Sequence, residues 1–169
     1  MESAAQTKNC VIDKESIGRK LKRMALEVAE RNAEEREIVI AGINGNGEVV
    51  ARCLQKELSR LMEGSLSLIT IELNKKDPLE ARLRETVALE GKVVIIVDDV
   101  ANTGRTMLYA LKPFLNAHPK KIQTLVLVER SHKEFPVQTD YTGLSISTTL
   151  QENIRVEAEG DVLTGAWLY

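Results

Sequence analysis

The 169-residue sequence has few of the features that mark several large classes of protein. It contains only two cysteines, Cys10 and Cys53, and their spacing suits neither a metal site nor the disulfide framework of a secreted domain. The formal net charge is -2, so no overall positive field indicates binding to nucleic acid or to an anionic membrane surface. No apolar run approaches the roughly 18 residues that a membrane helix requires, and the first residues do not form a secretory signal. These absences favour a cytoplasmic protein with no membrane contact.

The composition suits a single globular domain. Hydrophobic residues make up 43% of the chain and charged residues 28%, which is enough for one well-buried core. The first residues are polar, whereas apolar patterning begins soon after them. We therefore expect a flexible leader at 1–10 and one domain at 11–169.

Buried strands alternate with amphipathic helices along this domain. Apolar residues three and four positions apart predict a helix from Asp13 to about Asn32, with Asp13 as its N-cap and a basic, solvated outer face. The five apolar residues Val93–Val97 predict a strand buried on both faces of a parallel sheet. The other predictions are strands at 38–43, 66–73 and 122–128, helices at 48–62 and 106–117, and three strand-like pieces at 144–147, 153–157 and 166–169 that either extend the sheet or form a small cap. The predicted class is α/β.

Two adjacent carboxylates end the buried strand. Asp98 and Asp99 follow Val97, and like charges side by side are costly inside a protein. We therefore expect them where burial stops, at the carboxyl end of the strand, where open α/β sheets bind ligands. The turn after them combines hydroxyl and amide donors with a glycine and opens a helix, which is typical of a phosphate site. This turn consists of Ala101, Asn102, Thr103, Gly104, Arg105 and Thr106. The neighbouring carboxylates suit hydroxyl groups or a hard cation.

Three further polar segments follow predicted strands. The first either binds an anion or only forms a tight turn, and it consists of Asn44, Gly45, Asn46 and Gly47. The charged segment at 74–91 has scattered apolar residues, which predicts a mobile flap or a hairpin rather than core. The third segment, residues 129–136, follows the strand at 122–128 and contains His132. This histidine is a candidate acid–base group, although a lone histidine in a loop more often has a structural role or is solvent-exposed.

Residues 94–106 resemble the phosphoribosyl-pyrophosphate (PRPP) motif of type I phosphoribosyltransferases, which is an apolar strand, an acidic pair and Thr-Gly-x-Thr. The resemblance extends over about residues 12–168. It is closest to the pyrimidine operon attenuation regulators that have uracil phosphoribosyltransferase activity, because residues 129–136, followed by Asp140, Tyr141 and Gly143, match that branch. It implies a type I phosphoribosyltransferase fold, with a mostly parallel central sheet flanked by helices and a small hood.

The resemblance also implies a reaction. A nucleobase, expected to be a pyrimidine such as uracil, would attack C1 of PRPP to give a nucleoside monophosphate and pyrophosphate. Asp98 and Asp99 would hold the ribose hydroxyls, residues 101–106 would wrap the 5′-phosphate, and residues 44–47 would match the pyrophosphate loop. Mg²⁺ would bridge pyrophosphate and ribose oxygens, so that the two aspartates would contact it indirectly. The family is commonly dimeric, which predicts a homodimer.

Four other residues complete the predicted site. Lys75 and Lys76 stand near the start of the flap, where the regulators have a Tyr-Arg-Asp-Asp-like stretch, and they are the candidates for a catalytic cation. Arg130 and His132 follow the strand at 122–128. Because parallel strands end at the same edge of a sheet, we expect both residues near the nucleobase.

Neutral residues stand where the regulators have basic ones. These positions are Asn44 and Asn46 in the pyrophosphate loop and the surroundings of Gln138 and Leu144 on the face that contacts RNA in that branch. Fewer positive charges predict weaker pyrophosphate binding and argue against RNA binding. A phosphoribosyltransferase is the leading hypothesis. The alternatives are an RNA-binding attenuation regulator and a nucleotide-sensing protein that has lost turnover.

Overall fold

The computed structural model describes residues 8–169, which form two sheets and three α-helices. The larger sheet consists of β2 (Glu37–Ile43), β3 (Ser65–Glu72), β4 (Arg82–Leu83), β5 (Val93–Ala101), β6 (Lys121–Arg130) and β7 (Tyr141–Ile146). The smaller sheet, which we call the hood, consists of β1 (Asn9–Asp13), β8 (Ile154–Glu159) and β9 (Val162–Leu168). The helices are α1 (Lys14–Arg31), α2 (Asn46–Leu58) and α3 (Arg105–Ala110). Among these residues, no helix is both long and apolar enough to cross a membrane.

The larger sheet is parallel except at one edge. Its strand order is β4-β3-β2-β5-β6-β7, and only the short β4 runs antiparallel to its neighbour. All residues of Val93–Val97 are completely buried, because helices or loops cover both faces of the sheet. The predicted α/β class with a mostly parallel central sheet is confirmed. Since β2 pairs with β5, the loops that follow these two strands lie side by side.

The two faces of the sheet are covered by different elements. On one face, α1, α2 and the hood pack into one apolar cluster, to which the hood contributes Ile154 and Val156. On the other face, α3 and the segment at 73–91 form a second cluster. Leu73 and Leu89, which begin and nearly end that segment, are each only 6% exposed. Within 74–91, the prediction of a flap or hairpin rather than core is therefore wrong for Leu89, which packs on the sheet, whereas Leu79 is 53% exposed.

The boundaries of two helices have local causes. The carboxylate of Asp13 accepts a hydrogen bond from the backbone N–H of Ser16 at 2.8 Å, so that Asp13 caps α1 as predicted. α3 was expected to extend to residue 117 but ends at Ala110, and a 3-10 turn follows at Lys112–Phe114. Proline lacks a backbone N–H and restricts the residue before it, so Pro113 explains why the α-helix does not continue.

The three C-terminal strand pieces serve two purposes. β7 extends the parallel sheet beside β6, whereas β8 and β9 pair antiparallel with each other and with β1 in the hood. The expected leader at 1–10 falls mostly outside the described residues. Asn9 and Cys10, however, belong to β1, where Cys10 pairs with Trp167 of β9.

Two basic side chains of α1 bind carbonyl groups of β7, the edge strand of the larger sheet. Lys20 donates a hydrogen bond to the carbonyl of Gly143, and Arg23 donates to the carbonyls of Thr142 and Gly143 at 2.9 Å. Exposed edge strands can pair with other chains, so these contacts protect the sheet. The expectation of a solvated helix face was wrong for Lys20, which is partly buried, whereas Arg23 remains 46% exposed.

Candidate active site

One cavity of about 480 Å³ lies where β2 and β5 end, between the larger sheet and the hood. Nine of the predicted site residues line it, and they are Asn46, Lys75, Asp98, Asp99, Ala101, Asn102, Thr103, Gly104 and Thr106. The acidic pair, the turn after it and one residue of the loop at 44–47 therefore share a single space, as the parallel sheet predicts.

The acidic pair is more deeply buried than expected. Asp98 is 2% exposed and Asp99 is 9% exposed, and both lie within β5 rather than beyond its end. The Oδ1 atom of Asp98 accepts a hydrogen bond from the backbone N–H of Asp99 at 2.9 Å. The Nζ atom of Lys75 lies 3.0 Å from Asp98 Oδ1 and 3.5 Å from Asp99 Oδ1. This ammonium group compensates part of the charge that burial would otherwise make costly.

The charges in this cluster shift each other's protonation. Burial and the charge of Asp99 raise the pKa of Asp98 to about 8, against the opposing effect of Lys75. Burial lowers the pKa of the Lys75 ammonium, but the charges of Asp98 and Asp99 outweigh burial, so its pKa lies above the ordinary value. A positively charged or hydroxyl-bearing ligand at this position would favour the ionised form of Asp98.

The turn at 101–106 has the backbone geometry of an anion-binding loop. Gly104 adopts φ = 84°, a left-handed conformation that disfavours residues with a side chain. Thr103 holds the turn in place, because its hydroxyl accepts the N–H of Arg105 and its carbonyl accepts the N–H groups of Glu134 and Phe135. The N–H groups of Thr106 and Met107, the next two residues of the first helical turn, have no acceptors within the helix and are available to an anion.

Contacts with other parts of the fold hold the loop at 44–47. The side-chain oxygen of Asn44 accepts the N–H of Leu73 at 3.2 Å, and the side-chain amide of Asn46 donates to the carbonyl of Val156 in the hood at 2.8 Å. A Cβ atom on Gly47 would lie 3.0 Å from Asp98 Oδ1, so this glycine permits the close approach of α2 to the acidic pair. The loop therefore connects the hood, the 73–91 segment and the acidic pair.

The remaining predicted residues lie outside the cavity. Lys76 and Arg105 do not line it, nor do Asn44, Gly45 and Gly47. Arg130 and His132 line a neighbouring cavity of about 330 Å³, which shares Asn102 and Thr103 with the first. His132 is solvent-exposed, and Arg130 donates a hydrogen bond to the carbonyl of Thr149 at 2.7 Å.

The sequence analysis did not identify the residues of the hood that line the first cavity. Ile154, Arg155 and Val156 of β8 line the first cavity, and they come from a strand far along the chain from the motif. It also did not identify two buried atoms without a hydrogen-bond partner, Asn102 Oδ1 and Thr148 Oγ1, both in residues that line the second cavity. Alternation along β8 predicts a strand, but nothing in that pattern indicates which cavity the strand borders.

The comparison with protein families agrees with this geometry. The family model of the phosphoribosyl transferase domain matches residues 11–159. The chain belongs to this family. Membership confirms the enzyme class that the resemblance of residues 94–106 implied, a phosphoribosyltransferase.

Similar proteins support the same assignment. The chain is 35% identical over 159 residues to a bifunctional protein PyrR of Haemophilus ducreyi, covering 88% of this chain and 89% of that protein. It is 37% identical over 158 residues to a bifunctional protein pyrR of Enterococcus faecalis, with the same coverage. Among solved structures, a hypoxanthine phosphoribosyltransferase of Trypanosoma cruzi has a TM-score of 0.72 at 18% identity, with 82% of each chain covered. A hypoxanthine-guanine phosphoribosyltransferase of Bacillus anthracis has a TM-score of 0.72 at 21% identity, with 86% of each chain covered. These structures share the fold.

Proposed function

We propose that this phosphoribosyltransferase transfers the ribose 5-phosphate group of PRPP to a pyrimidine base such as uracil. A base nitrogen forms a bond to C1 of the ribose and releases its proton to solvent, while the C1–O bond to pyrophosphate breaks and its electron pair leaves with pyrophosphate. The observation that supports this most strongly is the position of a buried acidic pair, Asp98 and Asp99, beside the turn at 101–106 in one cavity. A ribose 5-phosphate carries hydroxyl donors at one end and a dianion at the other, which matches this arrangement.

The acidic pair is assigned to the ribose. Carboxylate oxygens are strong acceptors for the 2′ and 3′ hydroxyl groups, and hydrogen bonds to charged groups are stronger than neutral ones. Positive charge develops on the ribose ring as pyrophosphate departs. Asp98 and Asp99, held in position within β5, would stabilise that charge without having to reorganise.

The turn at 101–106 is assigned to the 5′-phosphate. Its backbone N–H groups and the hydroxyl groups of Thr103 and Thr106 supply donors around the bend at Gly104. Little covalent chemistry is left to the protein in this reaction. Binding both ends of the ribose phosphate, and so orienting C1, would be its main contribution.

Lys75 is assigned to the charge of pyrophosphate. The loop at 44–47 has no charged side chain, and the side chains of Asn44 and Asn46 are engaged with Leu73 and the hood. Lys75 and Arg155 are the two cationic side chains that line the cavity. Lys76 lies outside the cavity lining, and its catalytic role stays a prediction.

The acidic pair also suits Mg²⁺ that arrives with the substrate. Among residues 8–169 no group of three or more His, Cys, Asp or Glu side chains could hold a metal ion by itself. Mg²⁺, however, is commonly bound by one or two carboxylates together with substrate phosphates and water, and Asp98 and Asp99 offer two. When bound, Mg²⁺ would neutralise charge on the departing pyrophosphate.

The side-chain oxygen of Asn102 is assigned to the nucleobase, whereas the backbone of Asn102 stays part of the turn assigned to the phosphate. This buried Oδ1 atom has no partner, and a carbonyl oxygen repels a phosphate but accepts an N–H group. Thr148 offers a second unpartnered polar atom, and Arg130 and His132 border the same space. Uracil carries an N–H donor between two carbonyl acceptors, so it can satisfy an acceptor and the donors around it together.

The test combines turnover with binding. Pyrophosphate release is measured with PRPP, Mg²⁺ and each of several nucleobases, and PRPP binding is measured separately by calorimetry. We expect release with a pyrimidine base. Replacing Asp98 and Asp99 together by asparagine should abolish PRPP binding, whereas Lys22→Met on the outer face of α1 should leave it unchanged. Failure of the wild-type protein to bind PRPP would refute the proposal.

One observation favours nucleotide sensing as a second candidate. The side-chain amide of Asn46 donates to the hood and the N–H of Gly45 donates to Glu48, so these two donors of the loop at 44–47 are already engaged when pyrophosphate arrives. Tight nucleoside monophosphate binding without pyrophosphate release from any base would favour this candidate. The homodimer and the cytoplasmic location stay predictions. We do not propose RNA binding, because Gln138 and Leu144 are neutral and the basic side chains of α1 partly cover β7.

A further inference from the structure

Lys75 occupies the place that the proposed function assigns to the ribose hydroxyl groups. Its Nζ atom lies between the Oδ1 atoms of Asp98 and Asp99, at 3.0 Å and 3.5 Å. Asp98 Oδ1 already accepts the N–H of Asp99, so the ammonium group takes much of the remaining hydrogen-bonding capacity of that oxygen. A ribose that approaches this pair must therefore displace Lys75 or compete with it.

The side chain can leave the acidic pair at little cost. It is 42% exposed, in contrast to the carboxylates of Asp98 and Asp99, which are 3% and 13% exposed. A half-exposed lysine regains hydration when its ion pair breaks, and its four-carbon chain has many accessible rotamers. The carboxylates, in contrast, are fixed within a strand and need a donor at all times.

The backbone holds Lys75 next to the loop assigned to pyrophosphate. Two residues before it, the N–H of Leu73 is bound by the side chain of Asn44, the first residue of that loop. The turn that contains Lys75 is closed by the N–H of Asp77 to the carbonyl of Asn74 at 3.1 Å. The ammonium group can thus move from the acidic pair toward the loop at 44–47 by rotation of its side chain, with the backbone in place.

We propose that Lys75 is an exchanging counter-ion. In the protein without substrate its ammonium group contacts the Oδ1 atoms of Asp98 and Asp99, and when PRPP binds, the ribose hydroxyl groups take those oxygens while Lys75 turns to the pyrophosphate. This inference rests on the proposed function. Its consequence is that Lys75 opposes the binding of a ribose phosphate that lacks pyrophosphate and favours the binding of one that carries it.

Two ligands that differ only at C1 separate these effects. Ribose 5-phosphate and PRPP are titrated, each with Mg²⁺, into the wild-type protein and into Lys75→Met, which keeps the length of the side chain and removes its charge. We expect Lys75→Met to bind ribose 5-phosphate about two- to fivefold more tightly and PRPP about two- to fivefold more weakly, the upper part of the range for a partly screened ion pair. Lys75→Arg should behave like the wild-type protein. Lys22→Met, which removes an exposed charge on the outer face of α1, should change either constant by less than about twofold.

The outcomes are distinguishable. Opposite signs for the two ligands support the exchange. Equal weakening of both ligands by Lys75→Met would mean that Lys75 only supports the structure, and no change with either would mean that it does not act at the site; both overturn the inference. If the wild-type protein binds neither ligand, the proposed function itself fails. Thermal unfolding of each variant checks that the half-exposed position tolerates the substitution.

Discussion

Asp98→Asn is expected to stabilise the protein, and the gain should increase with pH. The pKa of Asp98 is about 8 in the folded chain, against 3.8 for an unperturbed aspartate. Between these values the folded chain keeps a proton that the unfolded chain has released, so the free energy of unfolding falls as pH rises. Asparagine keeps an oxygen for the N–H of Asp99 and does not ionise.

The structure sets the size of this effect. Each pH unit in that interval changes the free energy of unfolding by at most about 1.4 kcal/mol, so pH 5 to pH 8 accounts for at most about 4 kcal/mol. The variant also loses the ion pair with Lys75, which contributes at most about 1 kcal/mol because Lys75 is half-exposed. Water and the ammonium group relax around an ionised Asp98. We therefore expect a net gain of about 2 kcal/mol at pH 8 and close to zero at pH 5.

Urea unfolding of the substrate-free protein at pH 5, 6.5 and 8 measures this difference. Asp77→Asn, an exposed aspartate in the same region, is the matched control and should change stability by less than about 0.5 kcal/mol at every pH. The same Asp98→Asn variant should bind PRPP poorly, as expected when a buried charge is kept for function at the expense of stability. If Asp98→Asn changes the free energy of unfolding equally at pH 5 and pH 8, or lowers it at pH 8, the reasoning is refuted.

Three other substitutions test separate parts of the structure. Gly143→Ala should lower the free energy of unfolding by roughly 2–4 kcal/mol, because the new Cβ would lie 2.3 Å from the carbonyl oxygen of Leu127. An unchanged midpoint of urea unfolding would contradict this packing. Gly47→Ala should instead displace the Asp98 carboxylate, whose Oδ1 atom would lie 3.0 Å from the new Cβ. Calorimetry should then show a dissociation constant for PRPP about tenfold higher, and an unaltered affinity would show that the loop can adjust. Arg84→Ala removes hydrogen bonds of 2.8 Å to one carboxylate of α2 and one of β3. We expect it to cost less than about 1 kcal/mol of global stability but to speed hydrogen exchange in the 73–91 segment, and uniform exchange would argue against that link.

Most of the elements follow from local patterns. The apolar run Val93–Val97 is a buried strand, and Asp13 caps α1, because strand burial and helix capping depend on residues that are close in the chain. Where the prediction was wrong, a nearby or a distant residue overrode the pattern. Pro113 shortened α3 within the chain. The burial of Leu89, in contrast, comes from the sheet face beneath it, which its charged neighbours in sequence do not reveal.

The sequence by itself determined the chemistry of one stretch, the acidic pair and the turn that follows it. These groups are contiguous, so the end of one strand places them together whatever the rest of the chain does. Only the tertiary structure decided what faces them. Lys75 reaches Asp98, and Asn46 binds Val156, because β2 lies between β3 and β5 and because the hood closes over their ends. Such contacts join residues that are far apart in the chain, and they depend on strand order and layer packing, which no local pattern encodes.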